Sequence, residues 1–384
     1  MILNVTLGCL ALLSFVLMLW QWWVARGFPL HRRLAAPVFG PGLTLLKPLK
    51  GCDEATEGCL RSWLVQSYRG DREILFGVAW ADDPVCAIVR KLLKEFSGCD
   101  ARLVVCGPLE GANLKVCKLA QLERSARYDV IVVSDADVRV PPDFLANAVA
   151  PLEAPAVGLV NCFYRLANPT TFAMRWEAVA VNADFWSQVL QSRSLKPLDF
   201  ALGAVMLVRR SCLREIGGFA SLTEVLADDY QLGNRIARRG HRIDLCPVVV
   251  ECCSGAMGWS AVWKHQLRWA RTIRVCQPMP YFFSLLSNPT LWPLLWAAVC
   301  PTVPALLFGA VCLLARVAIA RDLQRRLMAG PDPSPPAGLA VSGSIALAKD
   351  LFQVPLWLLA FTGNRIEWRG ERMHLRADGT MVKD

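Results

Sequence analysis

Apolar residues are concentrated at the two ends of the chain, and a long region of mixed polarity separates them. Residues 1–24 carry no charged side chain, and residues 281–320 and 338–362 are again strongly apolar. A run of about 20 apolar residues is long enough to cross a bilayer as a helix. The pattern therefore predicts one amino-terminal membrane anchor (1–25), about three carboxyl-terminal membrane segments (281–362) and a basic tail (363–384).

The region between these ends alternates short apolar runs with segments of helical period. Strands are predicted over Leu43–Leu49, Glu73–Trp80, Ala101–Cys106, Val130–Val133, Gly203–Arg209 and Asp244–Val250, and helices over Leu60–Ser67, Val85–Phe96, Asn113–Ala126, Phe172–Ser192 and Leu226–Arg239. This alternation is typical of βαβ units. Residues 40–275 are therefore predicted to form one α/β domain, Rossmann-like, with a mainly parallel sheet and helices on both faces.

Positive charge follows the first apolar segment and does not precede it. Arg26, Arg32 and Arg33 come directly after that segment. A cleaved signal peptide would begin with basic residues and end at small ones, so the pattern favours a retained anchor. The positive-inside rule then predicts an integral membrane protein whose central domain lies in the cytoplasm.

The net charge of +10 raises the question of a nucleic-acid partner. Much of the basicity flanks the apolar segments, where it suits anionic headgroups and membrane topology. The sequence shows no nucleic-acid-binding motif, and we expect no such partner. The 15 cysteines form no Cys-x-x-Cys pair, so we expect mostly reduced, small core residues.

Three acidic pairs lie where predicted elements begin or end, and each has a structural alternative to a chemical role. The pairs are Asp82 with Asp83, Asp135 with Asp137, and Asp228 with Asp229. The first pair follows a strand and could accept hydrogen bonds from uracil or ribose. Its alternative role is a turn or helix cap, because Asp before Pro commonly opens a helix.

The second pair follows a continuous β-branched run, so its strand should be buried on both faces. If the strand end stays extended, Asp135 and Asp137 project to the same side and can converge on one hard cation. Mg²⁺ or Mn²⁺ held there would bind diphosphate oxygens and neutralise charge on a leaving group. A lone Asp-x-Asp also occurs by chance in loops.

The third pair lies at a predicted helix start, where one carboxylate could act as a cap. The other could act as a general base toward an acceptor hydroxyl. We favour Asp229 for chemistry and Asp228 for capping or support.

A later helix over Trp259–Arg271 carries both aromatic and basic residues. Lys264, Arg268 and Arg271 share one face, which is typical of an interfacial amphipathic helix. Arg268 could also pair with diphosphate oxygens. His265 receives no proton-transfer role.

At these residues the chain resembles the ceramide glucosyltransferase family, within the inverting GT-A class that includes cellulose and hyaluronan synthases. The resemblance runs from about Leu45 to Arg274. It rests on the opening strand with Lys47 and Pro48, the first aspartate motif at Asp82 and Asp83, Lys115 in an Asn-x-Lys segment, Asp135, the presumed base Asp229, and the closing pair Arg268 and Trp269. With it we place Gly203, Asp228 and His265 among the substrate-binding residues.

Two residues depart from the family pattern. His265 stands where the family has Gln or Arg, and Asp137 gives the fuller Asp-x-Asp of the wider class. Both departures suggest a bacterial branch in the inner membrane, whose relatives glycosylate hopanoids or other lipid alcohols.

The resemblance implies inverting transfer of a hexose, expected to be glucose, from a UDP-sugar to the hydroxyl of a membrane lipid such as ceramide. A hopanoid or another lipid alcohol remains an alternative acceptor. A processive polysaccharide synthase needs a transmembrane tunnel, for which four spans are too few. A transporter or scaffold would carry its polar residues within the spans, whereas the acidic pairs lie in the central domain.

Overall fold

The computed structural model describes residues 1–34, 39–330, 343–368 and 371–383. Within them the strands are β1 Leu43–Pro48, β2 Arg72–Val78, β3 Ala101–Val105, β4 Val130–Ser134, β5 Val138–Arg139, β6 Val157–Leu166, β7 Val205–Arg209, β8 Arg242–Cys252, β9 Arg365–Trp368, β10 Glu371–Leu375 and β11 Met381–Lys383.

The α-helices of the described residues are α1 Ile2–Gly27, α2 Thr56–Leu64, α3 Val85–Glu95, α4 Leu114–Ser125, α5 Phe144–Val149, α6 Phe172–Val179, α7 Trp186–Leu195, α8 Arg210–Glu215, α9 Asp228–Arg238, α10 Trp259–Cys276, α11 Pro278–Phe283, α12 Leu291–Val299, α13 Val303–Met328 and α14 Gly343–Phe361. A π-helical segment, Ala180–Phe185, joins α6 to α7. Three short 3₁₀ segments are Ala150–Glu153, Phe219–Leu222 and Ser284–Ser287.

Eight strands form the central sheet, in the order β3-β2-β1-β4-β7-β6-β8-β5. The first four are parallel to one another, β6 is parallel to β8, and β7 and β5 are antiparallel to their neighbours. The prediction of a mainly parallel α/β sheet is therefore confirmed.

The central strand β4 is buried along its whole length. Ile131 and Val133 pack into the hydrophobic cluster on one face, and Val130 and Val132 pack into the cluster on the other. Because successive side chains of a strand point to opposite faces, β4 joins both cores. Its carboxyl end is consequently a rigid support for the residues that follow.

Apolar helices at both ends of the chain are also confirmed. By length and composition α1 and α13 could each cross a membrane, with mean hydropathies of 2.4 and 2.2. The segments Pro278–Ser287 and Leu291–Val299 meet at a bend of 52° and together form a broken span or a re-entrant loop. Of the predicted segment 338–362, residues 338–342 lie outside the described residues, and the rest forms α14.

The carboxyl-terminal region contains more structure than a basic tail. β9, β10 and β11 form an antiparallel sheet that contacts α10. Lys264 Nζ lies 2.8 Å from Glu367 Oε2, and Arg271 donates to the carbonyl oxygen of Arg365. Two of the three basic side chains predicted to share one face of the interfacial helix therefore bind this small sheet.

Candidate active site

Lys47 and the end of β4 form the floor of a cleft at the carboxyl edge of the parallel strands. Lys47 is fully buried, and its ammonium group donates to Ser134 Oγ at 3.3 Å and to the carbonyl oxygen of Asp135. Burial lowers the pKa of Lys47 to about 8. Pro48, the residue after Lys47, is the last residue of β1. Lys47 thus fixes the backbone at the point where the chain leaves the sheet.

The Asp135–Asp137 segment is a turn, which corrects the extended geometry assumed from the sequence. β4 ends at Ser134, and Val138 N donates to the carbonyl oxygen of Asp135 at 3.3 Å. A backbone bond over three residues closes a β-turn. The turn is anchored from outside by Cys253, whose N–H donates to the carbonyl oxygen of Asp137 at 2.9 Å.

Lys115 connects the second acidic pair to the third. Its Nζ lies 2.8 Å from Asp135 Oδ1 and 3.0 Å from Asp228 Oδ2. These partners raise the pKa of Lys115 against the opposing effect of burial. The position of Lys115 near the start of α4 depends on Asn113. The Asn113 side chain accepts from Val116 N at 3.2 Å and donates to the carbonyl oxygen of Val225 at 2.9 Å. Asn113 therefore starts α4 and also holds it against the loop before α9.

Asp228 and Asp229 are the first two residues of α9, and their carboxylates have different partners. The N-cap position is Ala227, so neither carboxylate occupies the capping position. Asp228 is buried and pairs with Lys115. Asp229 accepts from Tyr230 N at 2.8 Å. Burial, reinforced by Asp228, raises the pKa of Asp229 to about 6, a value suited to a general base near neutral pH.

The loop before β7 fits closely against α9. A Cβ atom at Gly203 would lie 2.8 Å from Asp229 Oδ2, and one at Gly233 of α9 would lie 2.3 Å from Ala201 N. Asn234 also donates to the carbonyl oxygen of Asp199 at 3.1 Å. Gly203 thus provides the space in which the Asp229 carboxylate lies.

The electrostatics of the cleft fit a divalent cation. Four carboxylates, those of the second and third acidic pairs, share this region with the ammonium groups of Lys47 and Lys115, an excess of two negative charges. Desolvation by the surrounding protein and the nearby Asp135 raise the pKa of Asp137 to about 6. Carboxylate oxygens are ligands that Mg²⁺ and Mn²⁺ prefer, so Asp135 and Asp137 fit such an ion.

A second cluster of potential ligands lies elsewhere. Among the described residues, Cys212, Glu215 and His241 bring three ligand atoms within 4.8 Å of one another. Arg210, at the start of the same helix, bonds to Asp129 at the opposite end of β4 from the acidic turn. This group is therefore separate from the cleft.

The two residues of the first acidic pair, Asp82 and Asp83, have different surroundings. Both oxygens of Asp83 accept from Gly51 N, at 3.0 and 3.1 Å, and Oδ1 also accepts from Val85 N at 3.0 Å. Asp83 therefore fixes the loop after β1 to the start of α3, which is the structural alternative considered above. Asp82 is exposed and leaves a carboxylate open at the cleft side of β2.

Helix α10 carries Arg268 and Trp269, the closing pair of the family pattern. His265 Nδ1 lies 2.6 Å from Glu177 Oε1, and its ring lies 4.7 Å from that of Trp269. Gln266 donates to the same Glu177 oxygen at 2.8 Å. Arg268 is half-buried on this helix. The structure thus fixes His265 through a buried carboxylate of α6.

Four residues of this region were not predicted from the sequence: Ser134, Tyr164, Glu177 and Gln266. Burial, and after it the charges of Cys252 and Asp229, raise the pKa of the Tyr164 hydroxyl well above its ordinary value. Glu177 is the one that a sequence signal could have revealed, because a carboxylate in an apolar helix needs a partner. Trp176 and Trp186, within the predicted helix Phe172–Ser192, are buried core residues.

A comparison with protein families decides the identity. The model described as Glycosyl transferase family 21 matches residues 6–381. The chain belongs to glycosyltransferase family 21. The resemblance to the ceramide glucosyltransferase family is thereby confirmed.

Curated relatives of this family 21 protein include ceramide glucosyltransferases. Ceramide glucosyltransferase 3 of Caenorhabditis elegans is 26% identical over 218 residues, covering 56% of this chain and 47% of that protein. The ceramide glucosyltransferase of Candida albicans is 32% identical over 122 residues, 29% of this chain and 22% of that protein. The chain thus spans about half the length, or less, of the curated relatives it matches.

Among solved structures, the mannosyltransferase PcManGT of Pyrobaculum calidifontis, in complex with GDP-Man and Mn²⁺, has a TM-score of 0.55. It is 22% identical and covers 94% of this chain, with 97% of its own length covered. At this identity the likeness shows the GT-A-like fold of the family 21 protein and nothing finer.

Proposed function

We propose that this family 21 protein transfers glucose from UDP-glucose to the hydroxyl of a membrane lipid such as ceramide, with inversion at the anomeric carbon. The observation that carries the proposal is the bridge of Lys115 between Asp135 and Asp228. It brings a candidate metal-binding turn and a candidate base into one cleft, beside apolar helices.

For the donor, we assign Asp82 to the uridine and the turn after β4 to the diphosphate. Asp135 and Asp137 would hold Mg²⁺ or Mn²⁺, which supplies charge neutralisation at the diphosphate. Arg268 and Trp269 of α10 are assigned to the opposite side of the diphosphate. Lys47 and Lys115 keep the metal-binding turn in place from below.

For the chemical step, Asp229 accepts the proton of the acceptor hydroxyl. The hydroxyl oxygen bonds to the anomeric carbon as the bond between that carbon and the UDP oxygen breaks, and UDP leaves with the electron pair. One displacement inverts the configuration. The raised pKa of Asp229 makes it a stronger base than an ordinary aspartate, while ionisation near neutral pH keeps it available.

For the acceptor, the apolar helices support a membrane lipid. Moving a lipid chain into water costs about 0.8 kcal/mol for each methylene exposed, so the hydroxyl must be met at the membrane surface. The basic residues after α1 support a catalytic domain on the cytoplasmic face, and the departures from the family pattern at His265 and Asp137 support a bacterial inner membrane. A hopanoid or another lipid alcohol is the alternative acceptor.

The test is transfer by the purified full-length protein in detergent micelles. UDP-glucose, UDP-galactose and GDP-mannose are each offered with a short-chain ceramide or a hopanoid alcohol, and products are identified by mass spectrometry. The proposal predicts glucosylceramide as the main product. Transfer only from GDP-mannose, or UDP release that no lipid stimulates, would refute it.

A further inference from the structure

A cavity of about 150 Å³ lies between the catalytic domain and the apolar terminal helices. Side chains from α1, α10, α13 and α14 line it, together with the π-helical segment and the residues before α12. The four carboxylates of the described aspartate cleft are not among its walls. The cavity is thus a second compartment beside the cleft.

Two of its walls are irregular helices. One is the π-helical segment, which contributes Ala180, Val181, Asp184 and Phe185. The other is the break at Asn288, before α12, where the two helical segments bend by 52°. π-Helical turns are frequent at functional sites, and irregular backbone at membrane depth is tolerated where it lines a cavity. Their meeting at one cavity indicates a binding site.

Four buried charges form the polar end of the cavity. Arg316 of α13 binds Asp184 through two bonds of 3.0 and 2.9 Å, and its Nε donates to Asp350 Oδ2 at 2.7 Å. Lys349 Nζ lies 2.6 Å from Asp184 Oδ2. The cluster is neutral, with two cations and two carboxylates. Ionisable residues between apolar helices are costly and usually functional.

This pairing selects the kind of ligand. An anionic head, such as a phosphate, would need a cation without a counter-charge, whereas here each cation has a carboxylate partner. Amide and hydroxyl groups can instead bond to Asp184 Oδ1, which accepts only one bond from the cluster, and to the amide side chains of Gln266 and Gln353, which also line the cavity. Met18 and Ile319 suit the first methylenes of a lipid.

Two aromatic residues that line the cavity, Phe185 and Trp269, link it to the residues assigned to the donor. Phe185 lines the cavity, and its ring lies 5.6 Å from that of Tyr164 and 6.2 Å from that of Trp269. Trp269 belongs to the pair that we assign to the diphosphate, so a hydroxyl presented past Phe185 would approach the donor site.

We propose that this cavity binds the uncharged head of the acceptor lipid, an alcohol that also carries an amide or a second hydroxyl. The inference rests on the proposed function and adds the place and chemistry of acceptor recognition. The paired cluster around Arg316 serves as a fixed polar surface, and Phe185 separates the head from the donor site.

Direct binding tests the inference without relying on turnover. The probe is a fluorescent short-chain ceramide whose primary hydroxyl is a methyl ether, which cannot accept glucose; the charged comparison is the matching ceramide 1-phosphate. Both are titrated onto the full-length protein in detergent micelles. The variants are Ala180→Phe, which fills the cavity, and Gln353→Ala, which removes a polar wall. Ala261→Phe, on the exposed side of α10, is the matched control, and UDP binding reports folding.

The inference predicts at least tenfold weaker binding of the ether to Ala180→Phe and a smaller loss for Gln353→Ala, with Ala261→Phe unchanged. The phosphate should bind wild type at least tenfold more weakly than the ether. Unchanged binding to both variants, or equal binding of the phosphate, would overturn it. If Ala180→Phe fails to bind UDP, Gln353→Ala decides.

Glucose transfer measured in parallel separates this inference from the proposed function. Transfer to ceramide with an unchanged KM in both cavity variants would refute the cavity and leave the function standing. Binding of the ether with the predicted losses, but no transfer of glucose, would refute the function and leave the cavity standing.

Discussion

Gly203 lies directly against the carboxylate of Asp229, with room for a hydrogen atom and no more. A Cβ atom there would come within 2.8 Å of Asp229 Oδ2, closer than a methyl group and an oxygen approach. Gly203→Ala should therefore displace the candidate base. We expect kcat to fall at least tenfold while UDP still binds, as measured by steady-state kinetics and calorimetry. The control is Gly58→Ala, on the exposed side of α2 where no atom lies within 4 Å, and its kcat should not change.

Asp229→Asn should lower kcat by roughly 10²–10⁴, because the amide keeps the shape but cannot accept the proton. UDP-sugar binding should survive. Asp228→Asn should act instead on the position of Lys115. The assignment of the base is wrong if Asp228→Asn is the inactive variant and Asp229→Asn keeps its activity.

The raised pKa of Asp229, about 6, predicts an acid limb in the rate. The base works only when ionised, so kcat should fall as the pH drops below about 6 and level off above it. The profile is measured at saturating Mn²⁺, which keeps Asp137 in its ionised form. A kcat that stays constant down to pH 4.5 would contradict a titrating carboxylate of this kind.

Lys115→Met should destabilise the protein and abolish transfer, since it leaves the carboxylates of Asp135 and Asp228 without their shared cation. Breaking a buried pair costs about 3–5 kcal/mol, and we expect the lower end because the Asp135 side chain is 39% exposed. Thermal unfolding measures the loss. The double variant Lys115→Met with Asp228→Asn should recover part of the stability and none of the activity. Equal stabilities of the single and double variants would contradict the pairing.

Chelation of divalent cations should abolish transfer, and Mn²⁺ or Mg²⁺ should restore it. Asp137→Asn should raise the metal concentration needed for half-maximal activity at least tenfold. Asp244→Asn, in a pair with Arg242 at the far edge of the sheet, should leave that concentration unchanged. Full activity of the wild type in excess EDTA would show that transfer needs no divalent cation.

The sequence was sufficient to predict the elements that have a simple apolar pattern. Strands such as β4 and helices such as α3 were predicted to within about two residues, because burial on both faces or on one stripe leaves a clear signature. The strand β6 was missed. Its Asn161 and Arg165 are buried through bonds to Asp244 and Glu251, partners that lie about eighty residues away.

The same limit applies to the site. The short spacing within each pair grouped Asp135 with Asp137 and Asp228 with Asp229. It could not show that Asp135 begins a turn. Nor could it show that His265 bonds to Glu177, since that contact joins residues 88 apart in the chain. The space beside Asp229 depends on Gly203 and on the packing of a separate loop, which no local pattern reports.

In the proposed mechanism, Asp229 acts as the base in glucose transfer to an uncharged membrane lipid. The most direct measurement is mass spectrometry of lipids from membranes that contain the wild-type protein or Asp229→Asn, each incubated with ceramide, ¹³C-labelled UDP-glucose and Mn²⁺. We expect labelled glucosylceramide with the wild type and at least 100-fold less of it with the variant at equal protein level. Equal labelling by the two proteins, or no labelled lipid from the wild type, would contradict it.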